Sequence, residues 1–301
     1  MPSSASIQLS KNDNQLPVFD SKTLALFERK GYQIISKLGQ GAYGQVFKAL
    51  HVQSNMFCAV KIQDLTLMNE HFREKFLPRE IQVLINSRHE NIIQVWDIFR
   101  AANKIYIFME FAANGDIARY VRQNELKDSL VCVWFNQISA GLFFLHETLL
   151  STHRDIKLDN MLLDDKYIAK LTDFGFAKQS AKKFRRLVLM SKTFCGTAPY
   201  KSPQILARKA YNGFKADVWS MGVSLYIMLH RRFPFHYQDR EVQLREIANY
   251  PDYIRSRYRV NLPFSAQDLM NSMLHPDESK RIWMRDVLNN QWLITTANLN
   301  I

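Results

Sequence analysis

Two short stretches of this chain carry residue types that could do chemistry together. His153-Arg154-Asp155-Ile156-Lys157-Leu158-Asp159-Asn160 supplies a carboxylate, a lysine and an amide, and Asp173-Phe174-Gly175 follows soon after with a second carboxylate. Asp155 is a group that can accept a proton from a hydroxyl, and Lys157 sets a positive charge two residues away. Asn160 and Asp173 offer oxygen ligands, the kind that hard cations such as magnesium prefer. Together these residues suit the movement of a phosphoryl group, where the barrier is mainly positioning and charge neutralisation. Singly, each is equally compatible with an ordinary surface charge.

Such a site needs elements that bring a phosphate donor to it. Leu38 leads into Gly39-Gln40-Gly41-Ala42-Tyr43-Gly44. In a dinucleotide-binding fold a pattern of this kind opens a helix. Here Gln45 to Leu50 alternate as a strand would, so the glycines are expected at the tip of a β-hairpin, where backbone amides can cover phosphate oxygens. Taken alone, the pattern also fits an ordinary glycine turn. Cys58-Ala59-Val60-Lys61 reads as an apolar strand ending on a lysine, which by itself would snorkel to the surface. A helical stretch from about Asn69 to Asn86 carries Glu80, either a solvated charge or the partner that fixes Lys61 against phosphates. Two more strands are expected over Ile92–Phe99 and Lys104–Glu110, with a turn at Ala101-Ala102-Asn103. Five antiparallel strands and one main helix result. Phe111 to Asp116 then loosens the chain as a linker would, and an adenine could pair with the backbone of Glu110 and Ala112 there.

The remainder reads as mainly helical. Ser129 to His146 has apolar residues at helical spacing, Leu162 and Leu163 start a short strand, and Ile168 to Thr172 is its partner. The apolar run Val218 to Leu229 contains Ser220, Gly222 and Ser224 and falls short of the roughly 20 residues of a bilayer span, so a buried helix is expected. Residues 1 to about 18 are polar and are expected to be disordered, with Leu24, Leu26 and Phe27 packing a short helix on the body. The expected division is a partly disordered tail over 1–30, a small lobe over 31–111 and a large lobe over 112–301.

Composition sets further bounds. With 47% hydrophobic and 23% charged residues the chain is an ordinary globular one. The three cysteines, Cys58, Cys132 and Cys195, form neither a disulfide framework nor a zinc spacing and suit a reducing compartment. Neither a secretory signal nor a myristoylation glycine is visible at the start, so the cytoplasm is expected, with the nucleus open as well. The formal charge of +12 invites nucleic acid as a partner. Against this, the basic residues fall in separate clusters: Lys182, Lys183, Arg185 and Arg186; Arg231 and Arg232; Arg255, Arg257 and Arg259. A solvated surface or an acidic partner is expected, with neither nucleic acid nor membrane.

Over roughly residues 31–294 the chain resembles a eukaryotic protein kinase. The resemblance rests on motifs in register: Gly39, Gly41 and Gly44, Val60-Lys61, Glu80, His153-Arg154-Asp155, Asn160, Asp173-Phe174-Gly175, and Asp217-Val218-Trp219-Ser220-Met221-Gly222. It implies an α+β, two-lobed protein kinase fold: a small antiparallel β-sheet lobe with one main helix, and a larger, mainly helical lobe. It also implies ATP as co-substrate, Mg2+ as cofactor and protein hydroxyls as acceptors. Asp155 would be the base and Lys157, typical of the serine/threonine type, would steady the moving phosphate. Asn160 and Asp173 would hold magnesium, and Lys61 and Glu80 would form the positioning pair. Leu38, Gly39, Gln40, Gly41 and Gly44 would cover the phosphates; Val46, Ala59 and Leu162 would sandwich the adenine, with Met109 behind it and Glu110 and Ala112 along its edge. Asp116 would meet the ribose or, with Asp159, a substrate arginine, giving a modest preference for basic residues upstream of Ser/Thr. Asp217 would hold the catalytic loop from below, with a helix N-cap as a compatible second role.

The segment from Asp173 to Gln204 resembles an activation loop. Thr193 is the expected phosphate acceptor, for an upstream kinase or autophosphorylation, with Arg154 and Lys178 as cationic partners and Ser191 as a competing acceptor. Thr197 would line the substrate channel beside Asp155. One departure stands out: Gln204 occupies the place of the family's usual glutamate, whose arginine partner is matched by Arg281. The amide can still bond Arg281, without charge. Loosening there leaves a non-catalytic, kinase-fold scaffold as the rival reading. Thr193 to Ala198 and Asp173 to Lys178 resemble the calmodulin-dependent-kinase group, and the short chain is similar to the testis-specific serine/threonine kinases. With little sequence after Trp292, control is expected at Thr193 or through partner proteins.

Overall fold

A computed structural model of the chain describes residues 19–41, 44–68, 70, 73–74, 77–182 and 187–297. The chain divides into two compact units, one ending at Arg73 and resuming over Gln94–Phe111, the other made of Glu74–Ile93 and the chain from Ala112 onward.

In the first unit, strands β1 (Tyr32–Gly41), β2 (Gly44–His51), β3 (Met56–Asp64), β4 (Val95–Ala101) and β5 (Lys104–Glu110) form one antiparallel sheet in the order β1-β2-β3-β5-β4. Successive side chains along a strand point to opposite faces, so each strand serves two surfaces. Phe47 and Ala49, Cys58, Val60 and Ile62, and Tyr106 and Phe108 share one face and form a core with Tyr32 and Phe27. Phe27 comes from helix α1 (Ser21–Lys30), which Asp20 caps and which ends at Gly31 in the left-handed conformation. The sequence reading offered Leu24, Leu26 and Phe27 as anchors of this helix. Phe27 does face inward, with Thr23 one turn before it, whereas Leu26 is half-buried and Leu24 is 46% exposed. The expected tail over 1–30 therefore contains a packed helix, while residues 1–18 lie outside the described residues.

The other face of the sheet carries different residues. Val46 pairs with Lys61, and Ala59 pairs with both Lys48 and Met109. Cross-strand partners share a face. Val46, Lys48, Ala59, Lys61 and Met109 therefore all lie opposite the aromatic core.

The second unit contains helices α2 (Leu77–Asn86), α3 (Ile117–Gln123), α4 (Asp128–Glu147), α5 (Pro203–Leu206), α6 (Gly213–His230), α7 (Arg240–Ala248), α8 (Asp252–Arg255), α9 (Phe264–Met273), α10 (Met284–Leu288) and α11 (Gln291–Ala297). By length and composition α4 could cross a membrane, but its Val131, Trp134, Phe135, Ile138, Leu142 and Leu145 are buried inside this unit, as in the core helix of a globular domain. Helix α6 is buried almost throughout and packs on α9 so closely that a Cβ on Gly222 would stand 2.9 Å from Met273. Its N-cap is Asn212, which accepts from the amides of Phe214 and Lys215. Asp217, the N-cap candidate of the sequence reading, sits one turn inside the helix, and its carboxylate is free for another task.

One expected strand is shorter than its apolar run. Ile92 and Ile93 are buried but do not belong to β4. Ile92 bridges to Leu171 in parallel, and the amide of Ile93 donates to the Leu171 carbonyl at 2.9 Å. These isoleucines extend the two-stranded pair β7 (Met161–Leu163) and β8 (Ala169–Leu171) of the second unit.

Candidate active site

The segment between β6 (Ser151–Thr152) and β7 holds most of the predicted chemistry. Asp155 is buried, and its carboxylate is held from both sides. Oδ1 accepts from the Thr197 amide at 2.9 Å and the Thr197 hydroxyl at 2.8 Å. Oδ2 accepts from Asn160 Nδ2 at 3.3 Å and lies 3.2 Å from Lys157 Nζ. Lys157 Nζ also donates to Thr197 Oγ1 at 3.1 Å, closing a ring of three side chains. Asn160 Nδ2 donates to the Asp155 carbonyl at 2.8 Å as well, so its amide nitrogen is committed to the loop. A carboxylate in this setting is fixed in direction, as a proton acceptor needs to be.

The loop is anchored from beneath. Asp217 Oδ2 accepts from the His153 amide at 2.8 Å and Oδ1 from the Arg154 amide at 2.8 Å. Arg154 has φ 66, a conformation that side-chain-bearing residues rarely adopt, and these bonds hold it there. His146 Nε2 lies 2.9 Å from Asp217 Oδ2 and is itself buried. Sequence reading missed His146. Its only signal was position: it follows Leu142 and Leu145 on the inward face of α4.

Asp173 is delivered by β8, with φ 61 and an exposed side chain. The next residue, Phe174, is fully buried and packs on the His153 ring at 5.1 Å between centroids. His153 Nε2 lies 2.9 Å from the Thr172 carbonyl, and the Thr172 amide donates to the Asn160 carbonyl at 3.0 Å. Asn160 and Asp173, the two predicted cation ligands, are thus tied to one backbone network.

The profile of the protein kinase domain matches residues 32–293. The chain belongs to the protein kinase family. Testis-specific serine/threonine-protein kinase 1 of Mus musculus is 35% identical over 277 residues, covering 89% of this chain and 73% of that protein. Testis-specific serine/threonine-protein kinase 3 of the same species is 35% identical over 271 residues, 88% of this chain and 97% of that protein. CBL-interacting protein kinase 26 of Oryza sativa subsp. japonica is 30% identical over 283 residues, 93% of this chain and 55% of that protein. The kinase is therefore of the serine/threonine type.

The segment after Asp173 meets the catalytic loop at separate points among the described residues. Strand β9 (Lys178–Gln179) pairs with β6, and β10 (Ala181–Lys182) pairs with β11 (Leu187–Val188). Gly196 has φ +94, and a Cβ there would stand 2.7 Å from the Arg154 carbonyl, so only glycine lets the segment approach so closely. Thr193 is half-buried, and its carbonyl accepts from the Tyr211 hydroxyl at 2.7 Å. Arg154 is buried, with Nε donating to the Phe176 carbonyl at 2.6 Å, and Lys178 is half-buried. Ser191, the competing acceptor, is 1% exposed and bridged to Tyr211 through its backbone, which withdraws it from modifying enzymes in this conformation. Burial pushes the Cys195 thiol up, only partly offset by the charge of Arg154, which leaves it a poor redox nucleophile.

The residues expected on the nucleotide side belong some to the first unit and some to the second. In the first, Gly39 pairs with Val46, Gln40 with Gln45, and Gly41 with Gly44, the expected hairpin. The glycines differ in what they do. A Cβ on Gly44 would lie 1.8 Å from the Ile62 carbonyl oxygen, so Gly44 is needed by the sheet itself. A Cβ on Gly39 would meet nothing within 4 Å, and one on Gly41 only the Gly44 carbonyl at 4.0 Å, which leaves their surroundings open. Leu38 is exposed, and Met109 and Ala59 are nearly buried. Lys48, which sequence reading passed over, has its ammonium 3.8 Å from the Phe57 ring centroid and 4.9 Å from that of Phe111, bracing the end of β5 by cation–π contact. In the second unit, Ala112 to Asp116 run beside β7: the Asn114 amide donates to the Leu163 carbonyl, and Asp116 bridges to Leu162. Asp116 is the N-cap of α3, with Oδ1 accepting from the Arg119 amide at 2.7 Å. Glu80 lies on α2, but its side chain, and with it the expected pair with Lys61, falls outside the described residues.

Gln204 does bond Arg281, as the departure from the family pattern led us to expect: Arg281 Nη2 donates to Gln204 Oε1 at 3.1 Å.

Proposed function

We propose that this kinase transfers the γ-phosphate of ATP to serine or threonine hydroxyls of proteins, with Mg2+. The observation that carries the reading is the Asp155 carboxylate, buried and braced by Thr197, Asn160 and Lys157. In the transfer, the acceptor Oγ forms a bond to the γ-phosphorus as the bond to the β–γ bridging oxygen breaks, and the hydroxyl proton passes to Asp155. Lys157, held by Thr197, meets the charge of the moving phosphate. The donor set suits magnesium: Asn160 commits its amide nitrogen to Asp155, which leaves its oxygen for a cation, and Asp173 adds an exposed carboxylate. Bound there, magnesium would neutralise phosphate charge. Lys61, Val46, Ala59 and Met109, which share the sheet face opposite the core, would line the nucleotide side.

Phosphorylation of Thr193, by an upstream kinase or by the chain itself, would add a dianion to a segment already packed on the catalytic loop, with Arg154 and Lys178 as its cationic partners. A modest preference for basic residues upstream of the acceptor would come from Asp159, which is exposed, and Asp116.

The test is phosphate transfer from radiolabelled ATP to a generic basic protein, with wild type beside Asp155→Asn. Wild type labels the substrate and the variant is slower by about 100-fold or more. Equal labelling by both makes the base assignment wrong. No labelling by either, even after Thr193 has been phosphorylated, assigns the chain to the scaffolds.

A further inference from the structure

The arginine clusters that look dispersed along the sequence meet in space. Arg231 Nη2 donates to the carbonyl of Arg122 at 3.0 Å, and Arg232 Nη2 donates to the carbonyl of Arg257 at 2.7 Å. Arg259 pairs with Asp128, and its amide donates to His230 Nε2 at 3.3 Å. The end of α3, the C-terminus of α6 and the segment after α8 thus place Arg122, Arg231, Arg232, Arg257 and Arg259 on one surface of the second unit, and Arg255 is exposed at the end of α8, two residues before Arg257. Fold geometry explains part of this. Arg231 is the C-cap of α6 at φ 55, and cations near a helix C-terminus are favourable.

Capping does not account for the rest. Arg257 Nε and Arg259 Nε are buried without a hydrogen-bond partner, while the Arg231 and Arg232 side chains are exposed. Two nearby carboxylates are already engaged: Asp128 by Arg259, and Glu246 by the His236 amide at 2.6 Å. His230 adds no charge, since burial and the neighbouring Arg259 and Arg232 push its pKa down to about 4. In the same segment the turn closed by the Leu262 amide on the Arg259 carbonyl leaves Val260 98% exposed, and Phe264 at the start of α9 is 88% exposed. Fully exposed large apolar side chains beside a run of arginines suit a partner that brings both carboxylates and apolar groups.

We propose that this surface docks an acidic segment of a partner protein, with glutamate or aspartate side chains on Arg231, Arg232 and Arg255 and apolar side chains on Val260 and Phe264. It goes beyond the phosphoryl-transfer reading and does not depend on it. A nucleic acid would use the guanidinium groups but leave Val260 without a fitting contact, and Asp128 within the patch opposes a continuous phosphate track. None of these residues belongs to the catalytic machinery.

The experiment measures fluorescence anisotropy of a labelled peptide made of repeated Glu-Glu-Leu-Phe, against the full chain. An all-glutamate peptide of the same length and an oligothymidylate serve as comparators. The mixed peptide is expected to bind tightest and to weaken as salt rises. Arg232→Gln combined with Arg255→Gln is expected to weaken it about five-fold or more, and Phe264→Ser combined with Val260→Ser by a similar factor, both with melting temperature and Asp155-dependent phosphate transfer unchanged. Tighter binding of the oligothymidylate than of the mixed peptide overturns the proposal in favour of nucleic acid. Equal binding of wild type and both double variants overturns it outright.

Discussion

Gln204 Oε1 accepts from Arg281 Nη2 at 3.1 Å while Gln204 Nε2 donates to the Pro276 carbonyl at 2.6 Å. Arg281 is 1% exposed, donates to the carbonyls of Lys215 and His275, and lies over the Trp219 ring. Its hydrogen-bond partners here are amide and carbonyl oxygens. Burial holds its pKa down to about 9, against the pull of Glu278 and Asp277. The cost of burying the guanidinium is present whichever residue stands at 204. A carboxylate there adds attraction and brings only its own desolvation and the loss of one bond to Pro276. Gln204→Glu is therefore expected to stabilise the chain by about 1–2 kcal/mol, raising the melting temperature by a few degrees. Gln204→Ala strips one acceptor from the guanidinium and is expected to cost about 1–3 kcal/mol. A lower melting temperature for Gln204→Glu would show that the amide is the better partner.

The glycines of the β1–β2 hairpin separate structure from nucleotide binding. Gly44→Ala drives a Cβ into the Ile62 carbonyl oxygen and must spread β2 from β3. It is expected to lower the melting temperature by many degrees, as overpacking against backbone does. Gly39→Ala has open space around it, so stability should hold within about 0.5 kcal/mol while the KM for ATP rises. If both variants melt alike, the hairpin does not divide its labour in this way.

Much of this was legible in the sequence because period and motif agreed. The strand-like alternation after Gly44 marked the glycines as a β-hairpin and not the start of a helix, and the pairing of Gly39 with Val46 and Gly41 with Gly44 bears that out. The catalytic loop was legible because its polar residues are packed into a few positions. What sequence could not show were contacts made across distance. His146 gives no local hint that it meets Asp217, and Asn212 outcompetes Asp217 as N-cap because it lies one turn earlier, where the free amides are. Ile92 and Ile93 looked like strand because they are apolar, but their partner Leu171 comes from much later in the chain. The arginines of three segments looked dispersed because their meeting depends on where α3 and α6 end.

Thr197 joins Asp155, the proposed base, to Lys157, the lysine proposed to steady the phosphate, through one hydroxyl. Thr197→Val keeps the shape and removes both side-chain bonds, leaving only the amide bond to Asp155 Oδ1. The expected result is a fall in kcat of about 10-fold or more with the KM for ATP little changed, because the loss acts on orientation during transfer. Serine should recover most of the rate. An unchanged kcat for Thr197→Val would mean that the ring of three side chains has no part in turnover.

Asp217 accepts from two buried backbone amides, those of His153 and Arg154. Asp217→Asn turns one acceptor into a donor facing a buried donor, so a loss of about 2–4 kcal/mol is expected, together with reduced transfer as Arg154 relaxes from φ 66. His146→Gln, which leaves both amide bonds intact, should cost less. Denaturant midpoints for the two variants check the order, and a reversed order would place the support of the loop in His146.

Lys215 gives the chain a pH dependence of defined sign. Its ammonium is buried, donates to the Arg281 carbonyl and lies 4.1 Å from the Trp283 ring centroid. Burial first, and then the charge of Arg281, lowers its pKa from 10.5 to about 8. Between those values the unfolded chain binds a proton that the folded chain has released, so stability rises as pH climbs through this window. The contribution is at most about 3 kcal/mol over the whole of it. The thiols of Cys58 and Cys195 and the phenols of Tyr200, Tyr250 and Tyr258 have pKa values raised by burial and act in the opposite sense once the unfolded groups ionise, so the measure is the difference between wild type and a variant lacking only the Lys215 ammonium. Urea midpoints taken from pH 7.5 to 9.5 should rise for wild type relative to Lys215→Met. Parallel curves for the two proteins would mean that Lys215 keeps its proton in the folded state throughout.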